Sequence, residues 1–264
     1  MAPEFEHRYL VDPRAVSRVL RALAGRMEEV VYDPRRPVAW SRTTYLDTPD
    51  ERYLAASQAG TRLRVRLRQY ASATDEGTPA LLSPGVWLEI KRSAGLARHK
   101  VRVRLSGEEA AAVLQGGLVP QVTTWYRRRS FATDGVRLTV DQEIAFSSPV
   151  LPGDAGAPAE PHHVLGRETN AVLEIKSVPP LPGWLGEAIA ELPGASGYSK
   201  LRAAVLARDG EGDPRPAVRQ VLRPGAAAVS DGDAAHQAEA EAERAVAAIA
   251  PAVERLERTR QVLG

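Results

Sequence analysis

The sequence predicts an α+β fold dominated by antiparallel strands. Eight segments are candidate strands, and several of them alternate charged and apolar residues with a period of two, as expected for strands with one polar and one apolar face. Four other segments carry apolar residues at the three- and four-residue spacing of an amphipathic helix, or begin with helix-capping residues. An antiparallel sheet with helices on its apolar side accounts for these patterns.

The strands are predicted from the N-terminus to about residue 177. Their expected bounds are 4–11, 38–47, 62–70, 86–92, 98–105, 122–132, 136–145 and 171–177. In the third strand every second residue is an arginine, namely Arg62, Arg64, Arg66 and Arg68. Four such charges on one face repel each other unless water or a polyanion screens them, and guanidinium groups suit phosphate oxygens.

Later strands repeat this division into a charged and an apolar face. Two of them carry a Glu-x-Lys pair on one face, Glu89 with Lys91 and Glu174 with Lys176. A second basic face is formed by Arg98, Lys100, Arg102 and Arg104, and a mixed face by Arg137, Thr139, Asp141 and Glu143. If the sheet closes into a barrel with helices outside, these faces converge on a lumen, whereas an open sheet with a solvated face shows the same alternation.

Helices are predicted between and after the strands. Their expected bounds are 13–27, 106–115, 182–192 and 199–208. Pro13 suits the first turn of the first helix, and Ser106 and Ser199 are suitable N-caps.

The composition changes after about residue 210. Residues 211–231 are rich in Pro, Gly and Ala and predict a linker. Residues 232–264 are rich in Ala, Glu and Arg and predict a helix, which Pro251 would kink or divide. That helix either packs on its own domain or forms a homodimer. The expected organisation is a domain at 1–210, the linker and this C-terminal helix.

Positive charge is concentrated in one part of the chain. The 264 residues carry a net charge of only +2, but segment 62–104 holds ten Lys or Arg against three acids, which predicts an anion-binding surface. The absence of cysteine excludes disulfides and thiolate metal sites. No apolar run of about 18 residues occurs, so neither a membrane segment nor export is expected, and the predicted location is cytoplasmic.

Eight short motifs occur in order along the chain. They are Glu4-Phe5-Glu6-His7-Arg8-Tyr9, Thr44-Tyr45-Leu46-Asp47-Thr48-Pro49, the Arg62–Arg68 row, Leu88-Glu89-Ile90-Lys91, Tyr126-Arg127-Arg128-Arg129-Ser130-Phe131, Val136-Arg137-Leu138-Thr139-Val140-Asp141, Leu173-Glu174-Ile175-Lys176 and Tyr198-Ser199-Lys200-Leu201. In this order they resemble the VTC domain of polyphosphate polymerases, over roughly residues 4–207. That domain belongs to the triphosphate tunnel metalloenzymes, with the CYTH triphosphatases and class IV adenylate cyclases.

The resemblance implies an eight-stranded antiparallel tunnel, a closed barrel whose basic lining holds a triphosphate beside a divalent metal, Mn²⁺ or Mg²⁺. The residues expected to be catalytic are Arg64, Arg66, Lys91, Arg128 and Lys200. Those expected to bind substrate are Arg62, Arg68, Lys100, Arg102, Arg137, Lys176 and Ser199. Those expected to bind the metal are Glu174, Glu4 and Glu6.

Several of these residues have a purely structural alternative. Glu174 could pair with Lys176, and Lys91 with Glu89, without any ligand. Ser199 could serve only as a helix cap. The second basic face could form an outer rim. A shifted register would turn the neighbours of Arg128 inward in its place.

The resemblance implies that a polyphosphate end attacks the γ-phosphate of ATP and that ADP leaves, a reaction in which the protein mainly positions groups and neutralises charge. The Glu4-x-Glu6-x-Arg8 segment instead resembles the ExExK signature of the CYTH group, with Arg in place of Lys, and favours a triphosphatase in which water attacks. A non-catalytic module that binds polyphosphate or RNA is a third hypothesis. Specific nucleic-acid binding is not expected, because only 5% of residues are aromatic and none interrupts the arginine row.

Overall fold

The computed structural model describes residues 5–58, 62–94, 97–115, 117–178, 180–194 and 197–210. These residues form twelve strands and five helices. In chain order they are β1 (Phe5–Val11), α1 (Pro13–Leu23), β2 (Glu28–Glu29), β3 (Val38–Asp47), α2 (Arg52–Gln58), β4 (Arg62–Ala73), β5 (Ala80–Leu82), β6 (Val86–Ala94), β7 (Ala97–Leu105), α3 (Gly107–Gln115), β8 (Val119–Thr133), β9 (Val136–Ser147), β10 (Pro158–Ala159), β11 (Val164–Glu168), β12 (Ala171–Ser177), α4 (Gly183–Ile189) and α5 (Lys200–Arg208). Glu4, the predicted linker and the predicted C-terminal helix with its dimer lie outside the described residues.

The strands form one antiparallel sheet. Its long strands follow the order β7, β6, β4, β3, β8, β9, β12 and β1, and they are the eight strands that the sequence predicts. The short strands β2, β5, β10 and β11 were not predicted; each has five residues or fewer, which is too short to show a period. The predicted α+β class with a mainly antiparallel sheet is confirmed.

The sheet is curled, but the described strands do not close it. Within the described chain β7 pairs with β6 alone and β1 with β12 alone, so the predicted closed barrel is not confirmed. Lys91 on β6 and Glu174 on β12 are five strands apart, which in a flat sheet is about 24 Å. Glu174 nevertheless contributes to the pKa of Lys91. We therefore call the polar side the concave face.

The concave face is defined by strand register. Its residues are Glu6, Arg8, Arg64, Arg66, Arg68, Tyr70, Trp87, Glu89, Lys91, Lys100, Arg102, Tyr126, Arg128, Arg137, Thr139, Asp141, Glu174 and Lys176. The intervening residues of the same strands point to the convex side, and most of them are apolar.

Four helices cover the convex side, as predicted for helices packed outside. Helices α1 and α4 pack on a core that includes Val19, Leu138 and Ile175. Helices α2 and α3 contact β4, β6 and β7, over a core that includes Leu88 and Val113.

Helix α5 lies on the other side of the sheet. It packs Ala204 and Val205 against Tyr45, Val122 and Val172. Val172 lies two residues from Glu174 on β12 and therefore shares its face. The expectation that this helix lies outside is wrong, because the concave face is apolar at one end and α5 covers that end.

A bulge in β9 reverses the alternation near its middle. Trp125 of β8 pairs with Ala145 and Arg127 with Gln142, so β9 holds one extra residue there. Glu143 has φ 54° and its carboxylate lies 2.8 Å from Arg127 Nε. The expectation that Glu143 shares a face with Asp141 is therefore wrong, since period-two counting fails across an inserted residue.

Helix α2 was not predicted, and its seven residues are too few to show a helical period. Asp47 holds the turn that leads into it. The buried carboxylate accepts hydrogen bonds from the backbone N–H groups of Thr48 (2.7 Å), Tyr53 (2.9 Å) and Leu54 (2.9 Å). Helix α1 ends four residues earlier than predicted, because Gly25 turns the chain with φ +72°. None of the described helices is long and apolar enough to cross a bilayer.

Candidate functional site

A buried carboxylate organises the centre of the concave face. Asp141 on β9 is 1% exposed and accepts hydrogen bonds from Arg128 Nε (2.5 Å) and Nη2 (2.7 Å) on β8. Lys200 Nζ at the start of α5 lies 2.6 Å from its second oxygen. Burial opposes ionisation of Asp141, but the charges of Arg128 and Lys200 outweigh it and hold its pKa well below the ordinary value. Asp141 therefore fixes two of the predicted catalytic cations.

Tyr126 lies between these cations and the arginine row. Its hydroxyl accepts a hydrogen bond from Arg68 Nη2 (3.2 Å), and Lys200 Nζ lies 4.7 Å from its ring centroid. Burial alone would raise the pKa of Tyr126, but the charges of Arg68 and Arg128 lower it to about 8. The low pKa records an excess of positive charge around the ring.

A second buried carboxylate, Glu89 on β6, holds three arginines. It pairs with Arg66 (Nη2 to Oε2, 2.5 Å), Arg102 (Nε to Oε1, 3.2 Å) and Arg68 (Nη1 to Oε2, 3.7 Å). Burial opposes ionisation of Glu89, but Arg66 and Arg68 lower its pKa to about 2. Glu89 therefore anchors the arginine row and does not serve as a simple partner of Lys91.

Lys91 lies next to this cluster in an environment of like charge. It pairs in register with Arg64 on one side and Lys100 on the other. Burial, followed by the charges of Arg66 and Lys100, lowers the pKa of Lys91 to about 8. The charges of Glu89 and Glu174 act in the opposite direction and do not offset burial and the neighbouring cations. An anion of high charge beside Lys91 would favour its charged form.

We expect the affinity for tripolyphosphate to fall as the pH rises through about 8. Below this pH Lys91 carries the charge that attracts the anion; above it the charge is lost, because the pKa in the folded protein is lowered to about 8. Isothermal titration calorimetry at pH 7 and pH 9 at constant ionic strength measures the change.

Lys91→Arg is the matched variant, since arginine keeps its charge at both values. Its affinity should fall less than that of the wild type. Ionisation of Tyr126 acts in the same direction, and Tyr126→Phe removes that part. Equal pH dependence in the wild type and in Lys91→Arg would show that Lys91 does not contact the anion.

Aromatic rings flank Arg102 at one end of the concave face. The guanidinium carbon lies 4.0 Å from the Trp87 ring centroid and 5.7 Å from that of Tyr70, whose hydroxyl accepts a hydrogen bond of 2.8 Å. Lys100 lies beside Arg102 with an exposed side chain. The pKa of Lys100 is lowered, mainly because its ammonium group is partly desolvated, and the charge of Arg102 adds to this shift. Both residues therefore lie on the predicted face, with Arg102 also tied to Glu89.

The structure places the remaining predicted substrate residues at different points. Arg62 pairs by its backbone with Ser93 at one end of β4. Arg137 is exposed and pairs in register with Lys176, at an end of the concave face. Ser199 caps α5 by accepting a hydrogen bond from the backbone of Arg202 (3.5 Å). The helix cap gives Ser199 a structural role, and its predicted contact with substrate stays a prediction.

The register of β8 is now defined. Arg128 faces Asp141, whereas Arg129 pairs with Glu29 (2.6 Å) and Arg127 contacts Glu76 and Glu143 on the convex side. Of the three consecutive arginines, the structure brings only Arg128 to the concave face.

Two of the predicted metal ligands lie on adjacent strands. Glu174 on β12 and Glu6 on β1 are each about one-fifth exposed on the concave face. Arg8 binds both carboxylates, with Nε 2.8 Å from Glu174 Oε2, and Lys176 Nζ lies 3.3 Å from Glu6. In the described chain no three Asp, Glu or His residues form a metal cluster. Two carboxylates fit a hard divalent ion that takes its other ligands from phosphate and water.

Sequence reasoning did not assign roles to Asp141, Glu89 or Tyr126. Asp141 shares its strand face with Arg137 and Glu89 shares its face with Lys91, and an acid beside cations on one strand face is a usable signal for an internal counterion. Tyr126 stands two residues before Arg128, so period two places it on the same face. Most partners of Asp141 and Glu89 come from adjacent strands of the sheet, and the sequence alone does not establish which strands are adjacent.

Comparison with solved structures finds folds of low sequence identity. The protein PH1819 of Pyrococcus horikoshii OT3 is 14% identical, with 79% of this chain and 99% of that chain covered and a TM-score of 0.46. A proposed adenylate cyclase of Bacillus halodurans is 12% identical, covering 76% and 96%, with a TM-score of 0.44. A proposed adenylyl cyclase of Hippeastrum, described as having a dominant triphosphatase activity, is 16% identical, covering 81% and 98%, with a TM-score of 0.46. These likenesses do not identify a function for the chain.

Comparison with curated proteins finds no significant match. The family model of the VTC domain matches residues 4–118 and 110–207, which together span most of the chain and contain every strand of the curled sheet. The segments that carry the arginine row, Glu89, Asp141 and Glu174 all lie within these matches. The chain therefore belongs to the VTC domain family.

Proposed function

We propose that this protein is a metal-dependent polyphosphate polymerase that transfers the γ-phosphate of ATP to a growing polyphosphate chain. One observation carries the proposal: the residues that strand register places on the concave face include ten Lys or Arg and only four Asp or Glu, counted over the described chain. A polyanion relieves that excess. Membership of the VTC domain family supports the choice of phosphate chains.

In this proposal Arg64, Arg66 and Lys91 bind phosphates from β4 and β6, and Arg128 and Lys200 bind them from the opposite side. The remaining predicted substrate residues extend the basic surface. The terminal oxygen of polyphosphate attacks the γ-phosphorus, the bond to the bridging oxygen breaks, and ADP leaves with that oxygen. The cations hold the phosphates in line and neutralise charge on the transferring group.

A divalent ion, when bound, adds Lewis-acid neutralisation of the phosphate oxygens. Glu174 and Glu6 are the described residues that would hold it, and Glu4 is a third predicted ligand outside them. Asp141 and Glu89 are each engaged by two or more cations and are not assigned to the metal.

Hydrolysis of triphosphate is the second candidate. Glu6 lies on the concave face beside Glu174, and a carboxylate at this position supports a site of the triphosphatase type. Here water is the attacking group, and orthophosphate is the product in place of an extended chain.

Incubation of the purified full chain with ATP and Mn²⁺ distinguishes the two. A polymerase yields ADP with a ladder of polyphosphate on a gel, whereas orthophosphate without chains identifies a triphosphatase and rejects polymerisation. Salt-sensitive binding without turnover rejects both and identifies a binding module.

The variants Arg128→Gln and Arg129→Gln form a matched pair for this assay. Arg128→Gln should reduce turnover by roughly 10- to 100-fold, the loss of a charge-assisted hydrogen bond to phosphate. Arg129→Gln removes the same charge from the convex side and should stay within about twofold of the wild type, since exposed pairs contribute little. If Arg128→Gln and Arg129→Gln reduced turnover equally, the reaction would not take place on the concave face.

A further inference from the structure

Arg8 joins the two carboxylates that the proposed function assigns to the metal. Its Nε donates to Glu174 Oε2 at 2.8 Å, and its Nη2 binds Glu6 Oε1. Arg8 and Glu174 are paired in register on β1 and β12, while Glu6 precedes Arg8 by two residues on the same face. The guanidinium therefore bridges carboxylates of two neighbouring strands.

The electrostatics of the pair are mutual. Burial opposes the charge of both groups, but Glu174 raises the pKa of Arg8 and Arg8 lowers that of Glu174. Among the charges that act on Glu174, that of Arg8 has the largest effect, and the Arg8 Nε–H occupies Oε2 of the carboxylate. A metal ion that takes Oε2, or both oxygens of Glu174, competes with this N–H.

Other cations face Glu174 from the surrounding strands. Arg128 on β8 and Lys176 on β12 lower the pKa of Glu174. The charge of Glu174 in turn acts to raise the pKa of Lys91 on β6. These residues provide a general positive field. Arg8 differs from Lys91 and Arg128 in having a hydrogen bond to Glu174 in addition to its charge.

We infer that Arg8 competes with the divalent cation for Glu174 and Glu6 and so sets the metal affinity of the site. Binding of a metal through Glu174 Oε2, or through both of its oxygens, requires release of Arg8. Because Arg8 neutralises part of the charge of Glu174 and Glu6, the protein alone binds the metal weakly. Phosphate oxygens must then supply the remaining ligands. The inference rests on the proposed metal site and concerns which residue controls it.

Direct metal binding tests the inference without any nucleotide or turnover. Mn²⁺ alone is titrated into the full chain and followed by electron paramagnetic resonance. Arg8→Gln should bind Mn²⁺ about tenfold or more tightly than the wild type, because it removes a charge-assisted competitor. Arg8→Lys, which keeps the charge but not the planar fork, should lie between the two.

Two further variants make the result specific. Lys91→Gln removes one charge that interacts with Glu174 through space, and it should tighten Mn²⁺ binding only by about threefold or less. Glu174→Gln should abolish the tightening when combined with Arg8→Gln. Equal gains in Arg8→Gln and Lys91→Gln, or no gain in Arg8→Gln, would overturn the inference.

The outcome is separable from that of the proposed function. If Arg8→Gln tightens Mn²⁺ binding but ATP yields no chains, Arg8 still controls the metal site and only polymerisation is rejected. If the wild type makes chains and Arg8→Gln binds Mn²⁺ no better, the function stands and the competition does not.

Discussion

Replacing Asp141 by asparagine is expected to lower the free energy of unfolding by about 3–5 kcal/mol. The carboxylate is 1% exposed and is the shared partner of Arg128 and Lys200, so its neutralisation leaves two partly buried cations without their counterion. Urea unfolding followed by circular dichroism at pH 7 measures the loss. Asp134→Asn, at an exposed turn residue, is the control and should change stability by less than about 0.5 kcal/mol.

The same variant tests whether Arg128 and Lys200 meet a phosphate ligand. If they do, tripolyphosphate restores a negative partner to both cations, and it should raise the melting temperature of Asp141→Asn more than that of the wild type. An equal or smaller rise would show that the ligand does not reach these cations. A stability close to that of the wild type without ligand would contradict the role of Asp141 as their counterion.

Most of the long strands were predictable because they have a buried apolar face and a charged face. A one-residue slip would bury charge, so residues such as Leu63 and Val65 fix the register of the arginine row. Helix α2 and the short strands were not predictable, since their stability comes from contacts such as the Asp47 cap. The bulge at Glu143 was not predictable either, because the residue pattern does not reveal a backbone with φ 54° at a glutamate.

The site was predictable as a set of cations and less so as a set of contacts. The family resemblance assigned Arg128 to the site, the residue pattern left its two neighbours as alternatives, and the structure places Arg128 on the concave face. The counterions depend on which strands lie opposite each other. Glu89 binds Arg66 and Arg68 from the neighbouring strand on one side and Arg102 from the neighbouring strand on the other.

Glu89→Gln is expected to lower stability by about 3–5 kcal/mol near pH 7, with an effect that disappears in acid. The pKa of Glu89 is lowered to about 2 in the folded protein, against an ordinary value of 4.5. Between these values the unfolded chain binds a proton that the folded protein does not, so stability rises with pH. The contribution of Glu89 is fully present above about pH 4.5 and is lost as the pH falls towards 2.

Urea midpoints measured from pH 7 down to pH 3 test this dependence. The wild type should lose stability steeply below about pH 4.5, whereas Glu89→Gln should start lower and fall less, because glutamine binds no proton in this range. Asp141 remains in the variant and its lowered pKa keeps part of the slope. Glu108→Gln, at an exposed position of α3, should follow the wild type. Parallel curves for the wild type and Glu89→Gln would show that the three arginines do not depend on this carboxylate, and the concave face would then need another counterion.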